Sequence, residues 1–421
     1  MKVFAVSDPA LYMSHTLAFI NFDAEVEKAF SRPEAFLPLL ARAWGILKEP
    51  VLKVLEERRR AVEAQDANKE KEELLHALEL ADPENPLIEE IRNRIANPIG
   101  QSEIEQVKRL LGEHAPTEDD IAPRQLVEHV ALTDTLDLTD IQTVASRVRD
   151  RGDIDEAARI EQSAMVARDQ LGISEIRVVN DFPIALCAFG FTRVSRSPSA
   201  SVLRPFPPDE DGRFPLYVLP VETEGIWFQL SPVRVYNWLV QNGLLNGSEI
   251  TDSSEAWANL YRNVPSLWQT IINEESPERA AIRTLLHTLS HILLGRIEWS
   301  GFASSSVGEY LLPGALSFVL YINRYAGSKI GGLTTLFEQR LDTWLWDAVQ
   351  AGQECVYDPL CSDEGGSCVG CLHREYNCPL FNRELSRSML YGGPTPQAGV
   401  LDGHTIKHGY WENAWSTTPE R

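Results

Sequence analysis

An excess of positive charge is what this chain most clearly lacks. It has 61 Asp and Glu against 39 Lys and Arg, a net charge of −22. That excludes a stand-alone nucleic-acid binder, which carries a basic domain or stripe. Any contact with DNA is then local, or is made through a basic partner. Missing too is an apolar run near the ~18 residues that a membrane span needs. The opening MKVFAVSDPALYMSHTLAF has no uninterrupted apolar core followed by a small-residue cleavage site, so a cytoplasmic location is expected. Cysteine is scarce, at six residues. Apart from one C-terminal segment there is only Cys187, inside IALCAFGF, which reads as a small buried hydrophobe. No internal repeat is present.

Several catalytic signatures are also missing. GSKIGGL, residues 327–333, is glycine-rich but lacks G-x4-G-K-[ST], with Lys329 out of register, so it reads as a tight turn whose amides and lysine could still touch a phosphate. With no Walker motif the chain is not expected to be an ATPase. His287 and His291 stand four apart, as in HExxH metalloproteases, but Thr288 occupies the place of the glutamate base. A hydrolytic zinc site using His287, His291 and Glu309 is therefore the lesser reading. Histidines hydrogen-bonded within the core are the greater. No G-x-S-x-G elbow, no H-x-K duplicate and no paired-carboxylate motif stands out.

What the chain does have is a run of five cysteines, Cys355, Cys361, Cys368, Cys371 and Cys378, spaced C-x5-C-x6-C-x2-C-x6-C. A loop of Asp, Gly and Pro cannot hold itself by packing, and thiolates at these spacings can converge on one ion. A tetrahedral zinc site is the natural reading. Disulfides in a secreted module would need an oxidising compartment to which nothing else in the chain points. Zinc needs four ligands and five are offered. Cys368 and Cys371 form the C-x2-C knuckle and Cys361 is next, while Cys355 and Cys378 compete for the fourth place. His373 is a weaker candidate, expected to face solvent.

The organisation predicted is α+β, with a helical N-terminal region, a mixed α/β middle and a C-terminal region carrying a Cys-rich zinc lobe. Residues 1–172 read as mainly helical from apolar residues at three- and four-residue spacing, with Pro33 and Pro50 near helix starts. The charged run from Glu56 to Leu80 reads as a long solvated helix rather than a phosphate-binding patch. Residues 173–275 are β-rich, with EIRVVNDFPIALCAFGFTRVS and PLYVLPVETEGIWFQLS as strands. Residues 276–392 open on PERAAIRTLLHTLSHILLGRIEW, a helix with Ser276 as N-cap and Pro277 at its first position. ALSFVLYINR follows as a buried strand, then FEQRLDTWLWDAVQAGQE as an amphipathic helix. Residues 393–421 are expected to be a loosely packed tail.

Taken in order, LLHTLSHILL, SGFASSSVGEYL, GSKIGGLTTL, CVYDPLC…CVGC…C and FNRELSR resemble the zinc-binding domain of MrfA-type DNA repair helicases. They are more similar still to DrmB, the companion of the DrmA helicase in DISARM antiphage systems. A GFTR-like element is matched by Gly190, Phe191, Thr192 and Arg193. The resemblance covers roughly residues 174 to 390. It implies zinc held by ligands drawn from the five clustered cysteines, and structural roles for His287, His291, Ser304, Ser305, Ser306, Glu309, Gly331 and Gly332. It also implies a superfamily-2 helicase as partner, and a non-catalytic subunit of an antiviral defence complex that assists DNA binding or translocation. Lys329, Arg324, Arg374 and Arg383 near the zinc lobe are the candidate phosphate contacts. DrmB-like proteins are usually longer, and Lys329 stands where that family often has an acidic residue. Both departures point to a shortened or divergent relative. The strong acidity leaves a rival reading, an acidic scaffold that regulates the helicase by mimicking DNA.

Overall fold

The β-branched and aromatic segments pair into one antiparallel sheet whose strands are drawn from distant parts of the chain. They are β1 (Tyr12–Ile20), β2 (Leu138–Asp140), β3 (Ile173–Arg193), β4 (Leu203–Pro205), β5 (Tyr217–Leu230), β6 (Val307–Leu312) and β7 (Ser317–Ile322). The order is β1-β3-β5-β7-β6, with β2 and β4 also pairing to β3. The computed structural model describes residues 12–63, 99–193, 202–268, 275–323, 331–375, 377–397 and 399–414. With its helices and this sheet the fold is α+β. Most of the charged stretch from Glu56 to Leu80, the Ser/Pro loop at 194–201, and Arg324 and Lys329 lie outside the described residues. Among the described residues no helix is long and apolar enough to cross a membrane.

Alternation along the strands divides the interior. In β7, Phe318, Leu320 and Ile322 enter a large core shared with the helices, while Val319 and Tyr321 enter a smaller one with Phe182 and Trp227. Both faces of β7 are thus covered, which explains the apolar run from Phe318 to Ile322 that follows Ser317. Phe228 of β5 stacks on Phe318, with ring centroids 4.9 Å apart, and meets Trp344 edge-on.

The helix Pro277–Leu294, called the central helix below, packs on β6 and β7. The Ser276 hydroxyl caps it, accepting from the Arg279 N–H, and Pro277 opens it. In β6, Glu309 pairs with Leu320 and so shares the face that looks at this helix. Tyr310 points the other way and donates to Glu128.

The described part of the tail corrects the expectation of loose packing. Tyr410 and Trp411 are each 1% exposed. The Tyr410 hydroxyl donates to the Gly172 carbonyl at 2.9 Å, and Trp411 Nε1 to the Leu171 carbonyl at 3.0 Å. The aromatic anchors outweigh the Gly/Pro composition that motivated the expectation. Gly172 takes φ +64° at a helix end, where an added Cβ would meet Arg234 and the Tyr410 hydroxyl.

One buried histidine ties this fold to pH. His129 lies against Trp227, 3.3 Å from the Ser317 hydroxyl. Burial, with Arg42 and Arg177 nearby, holds its pKa down to about 3. The unfolded chain takes up this proton below about pH 6.5 and the folded chain does not, so stability falls as pH drops from 6.5 toward 3. His129→Gln is expected to flatten that acid-side slope by up to ~1.4 kcal/mol per pH unit, as read from urea midpoints at pH 7, 6 and 5. An unchanged slope would show that His129 carries no linkage.

Candidate metal centre

After the helix Leu341–Gln353 the chain enters the cysteine segment, which is held by turns and polar contacts. The sulfurs of Cys355, Cys361, Cys368 and Cys371 converge within 4.8 Å of one another. Measured pairs are Cys355–Cys368 at 3.4 Å, Cys361–Cys371 at 3.8 Å and Cys368–Cys371 at 3.7 Å. Four thiolates bonded at about 2.3 Å to a central ion would lie about 3.8 Å apart. These separations far exceed a disulfide bond. The group fits a metal ion held by four sulfurs. Of the two contenders for the fourth place, Cys355 takes it.

Backbone amides aim at this group. Gly370 N–H donates to Cys368 Sγ at 3.2 Å and Tyr357 N–H approaches Cys355 Sγ at 3.5 Å. Four thiolates around a divalent ion leave net negative charge, and the Arg387 guanidinium sits beside Cys361 and Cys371 to offset it. Arg387 also donates to Asp358 Oδ1 at 2.6 Å and to the Gln353 carbonyl at 3.0 Å. Asp358 in turn accepts from the Cys355 and Ser362 amides. Sequence reasoning missed both residues, because their partners are set by the turns rather than by spacing.

Cys378 is the departure. Its sulfur is turned toward the central helix, 3.3 Å from His287 Nε2, and accepts from the Asn382 amide at 3.1 Å. It forms a second group with His287, His291 and Glu309, whose ligand atoms also lie within 4.8 Å of one another. Glu309 Oε1 is 3.2 Å from His287 Nε2 and 3.0 Å from His291 Nε2. His287 is 0%, His291 1% and Glu309 3% exposed. The imidazoles are thus hydrogen-bonded inside the core, as the greater reading expected. With protons alone between these groups, burial opposes a charged imidazole, yet the Glu309 carboxylate outweighs it and raises His287 to about 10 and His291 to about 9. Burial pushes the Cys378 thiol up, but the two imidazoles bring it down to about 7. This closed set leaves no room for the substrate of a hydrolase built on His287, His291 and Glu309.

The remaining candidates fare unevenly. His373 is exposed, 3.1 Å from the Ser367 hydroxyl. Arg374 is committed internally, its Nη2 donating to the carbonyls of Ser304 and, at 3.0 Å, Val307, so it is not offered to a phosphate. Arg383 is exposed. The amides at the start of the helix Gly332–Gln339 are taken by the protein's own carboxylate. Gly331 N–H donates to Glu224 Oε1, and Leu333 N–H to Glu224 Oε2 at 3.0 Å. For these described amides the phosphate reading gives way, since Glu224 fills the place an anion would take.

Compared with known proteins, the chain matches no protein-family model and no curated protein.

The buried attachment predicts an outcome. Arg387→Ala removes the guanidinium and frees Asp358, and is expected to weaken metal retention by about 10–100-fold, as read by competition with a chromophoric chelator. Cys371→Ser should lose the ion from the four-sulfur group altogether. Retention equal to wild type in Arg387→Ala would sink this account of the lobe.

Proposed function

We propose that this protein is a non-catalytic, zinc-stapled subunit that docks on a superfamily-2 helicase in a prokaryotic antiviral defence complex and assists its engagement of DNA. Zinc is the ion favoured by four thiolates in a closed, roughly tetrahedral set. The partner class rests on the order of segments from LLHTLSHILL to FNRELSR and on its similarity to DrmB.

One observation supports docking in particular. The first half of β5 leaves the core and is exposed on both faces, with Leu216, Tyr217, Val218 and Leu219 between 55% and 64% accessible. Successive strand residues point to opposite faces, so both sides of this ribbon are largely exposed among the described residues. Val356, Tyr357 and Val369 add a second apolar patch at the tips of the cysteine turns, at 83%, 55% and 77%. Contiguous exposed apolar surface of this kind marks a protein interface. The net charge of −22 turns most of the remaining surface away from DNA, so DNA is held chiefly by the partner. The acidity also keeps the rival scaffold reading alive.

The test is co-expression with a candidate superfamily-2 helicase of the DrmA kind, followed by tandem purification and DNA-binding titrations. A stable complex is expected, with tighter and salt-sensitive DNA binding compared with the helicase alone. Leu216→Glu with Leu219→Glu should cut recovery of the complex at least tenfold without loss of the far-ultraviolet circular dichroism signal. A complex in which this chain competes with DNA would favour the scaffold. No complex at all would overturn both.

A further inference from the structure

We propose that His287, His291, Glu309 and Cys378 form a second metal site, a closed structural site for a divalent ion of the zinc class. It would clamp the cysteine lobe onto the central helix and β6. This inference stands apart from the helicase reading and does not need it.

The first argument is tautomer control. His287 Nδ1 lies 3.1 Å from the Glu384 carbonyl and His291 Nδ1 lies 2.7 Å from the Leu372 carbonyl. A carbonyl only accepts, so both Nδ1 atoms carry the hydrogen, and a neutral imidazole then presents the Nε2 lone pair. Both Nε2 atoms face the same point. Metal-bound histidines are held in this manner, the far ring nitrogen donating to a carbonyl.

The second is convergence. Around that point stand two imidazole lone pairs, one carboxylate oxygen and one sulfur, with neighbouring separations of 3.0, 3.2 and 3.3 Å. A tetrahedron built on bonds of about 2.0–2.3 Å has edges of about 3.3–3.8 Å. Four acceptors aimed at one another in the core need protons or a metal ion between them. Protons on both Nε2 atoms would supply it, but would place two cationic rings 4.5 Å apart in the interior. One divalent ion instead balances one carboxylate and one thiolate with no net charge left over.

The third is support from outside the donor set. The Ser290 hydroxyl contacts Glu309 Oε2, the oxygen turned away from the point, and the Asn382 amide contacts Cys378 Sγ. Two imidazoles, a carboxylate and a thiolate suit zinc by softness. All four places are filled by protein, so the site is structural rather than catalytic.

The experiment measures metal in the full-length chain, with any affinity tag removed, by mass spectrometry and by zinc X-ray absorption. Two zinc equivalents per chain are expected, with a first shell mixing sulfur and nitrogen or oxygen. In Cys378→Ser and His291→Asn the content should fall to one equivalent with an all-sulfur shell. In Cys368→Ser the sulfur-rich ion should go instead. One equivalent in the wild type with an all-sulfur shell would overturn the proposal, and that reading needs no variant to fold. So would two equivalents that persist in both Cys378→Ser and His291→Asn.

Discussion

The cysteine lobe depends on polar contacts made by one turn of the central helix. The segment from Cys355 to Cys378 is rich in Asp, Gly, Pro and Ser and contributes few buried apolar side chains, chiefly Leu372 and Cys361. Part of its attachment, and that of the residues just after it, therefore comes from hydrogen bonds made by this one turn. His287 engages the Glu384 carbonyl, Thr288 accepts from the Ser386 amide at 3.0 Å, and His291 engages the Leu372 carbonyl. Glu309 reaches the same turn from the other side because its strand register places it opposite Leu320. Helix, strand and lobe thus meet at one buried point, and moving any of the three would leave polar groups unpaired in the core.

The two ends of the sheet are built differently. Around β7 both faces are covered and the strand residues from Phe318 to Ile322 are apolar without interruption. N-terminal to Val221 the β5 ribbon is exposed although its residues are still apolar. A lone monomer gains nothing from that surface, which is the reason for reading it as a contact face. The lobe is rooted at the covered end, where its ligands are held rigidly.

Much of this was legible locally. The cap of the central helix, the buried strand β7 and the convergence of Cys361, Cys368 and Cys371 follow from spacing and short-range chemistry, whereas the helix stops at Leu294, short of the run to Trp299 that the sequence suggests, and the choice of Cys355 as fourth sulfur is settled only by the fold. Nor does the place of Cys378 follow from spacing. Its partner His287 is 91 residues away, and only the packing of the central helix on β6 brings them together. Glu224 capping Leu333, Arg374 holding Val307 and Trp411 reaching Leu171 are invisible for the same reason. Each is a single polar or aromatic side chain whose role is fixed by tertiary position. The tail shows how composition misleads, since a few aromatic anchors in a Gly/Pro background suffice to dock it.

The sheet's wiring also bears on the order of assembly. β1 pairs with residues 184–193, far along the chain, and β5, paired with β3 on one edge, waits on its other edge for β7, which begins at Ser317. Closing such long loops costs entropy before any contact rewards it, and so slows folding. The cysteines leave the ribosome after all of these strands. The four sulfurs therefore emerge onto a helix face that earlier sequence has already supplied, and an ion captured there would join a sheet whose strands are already synthesised rather than nucleate it.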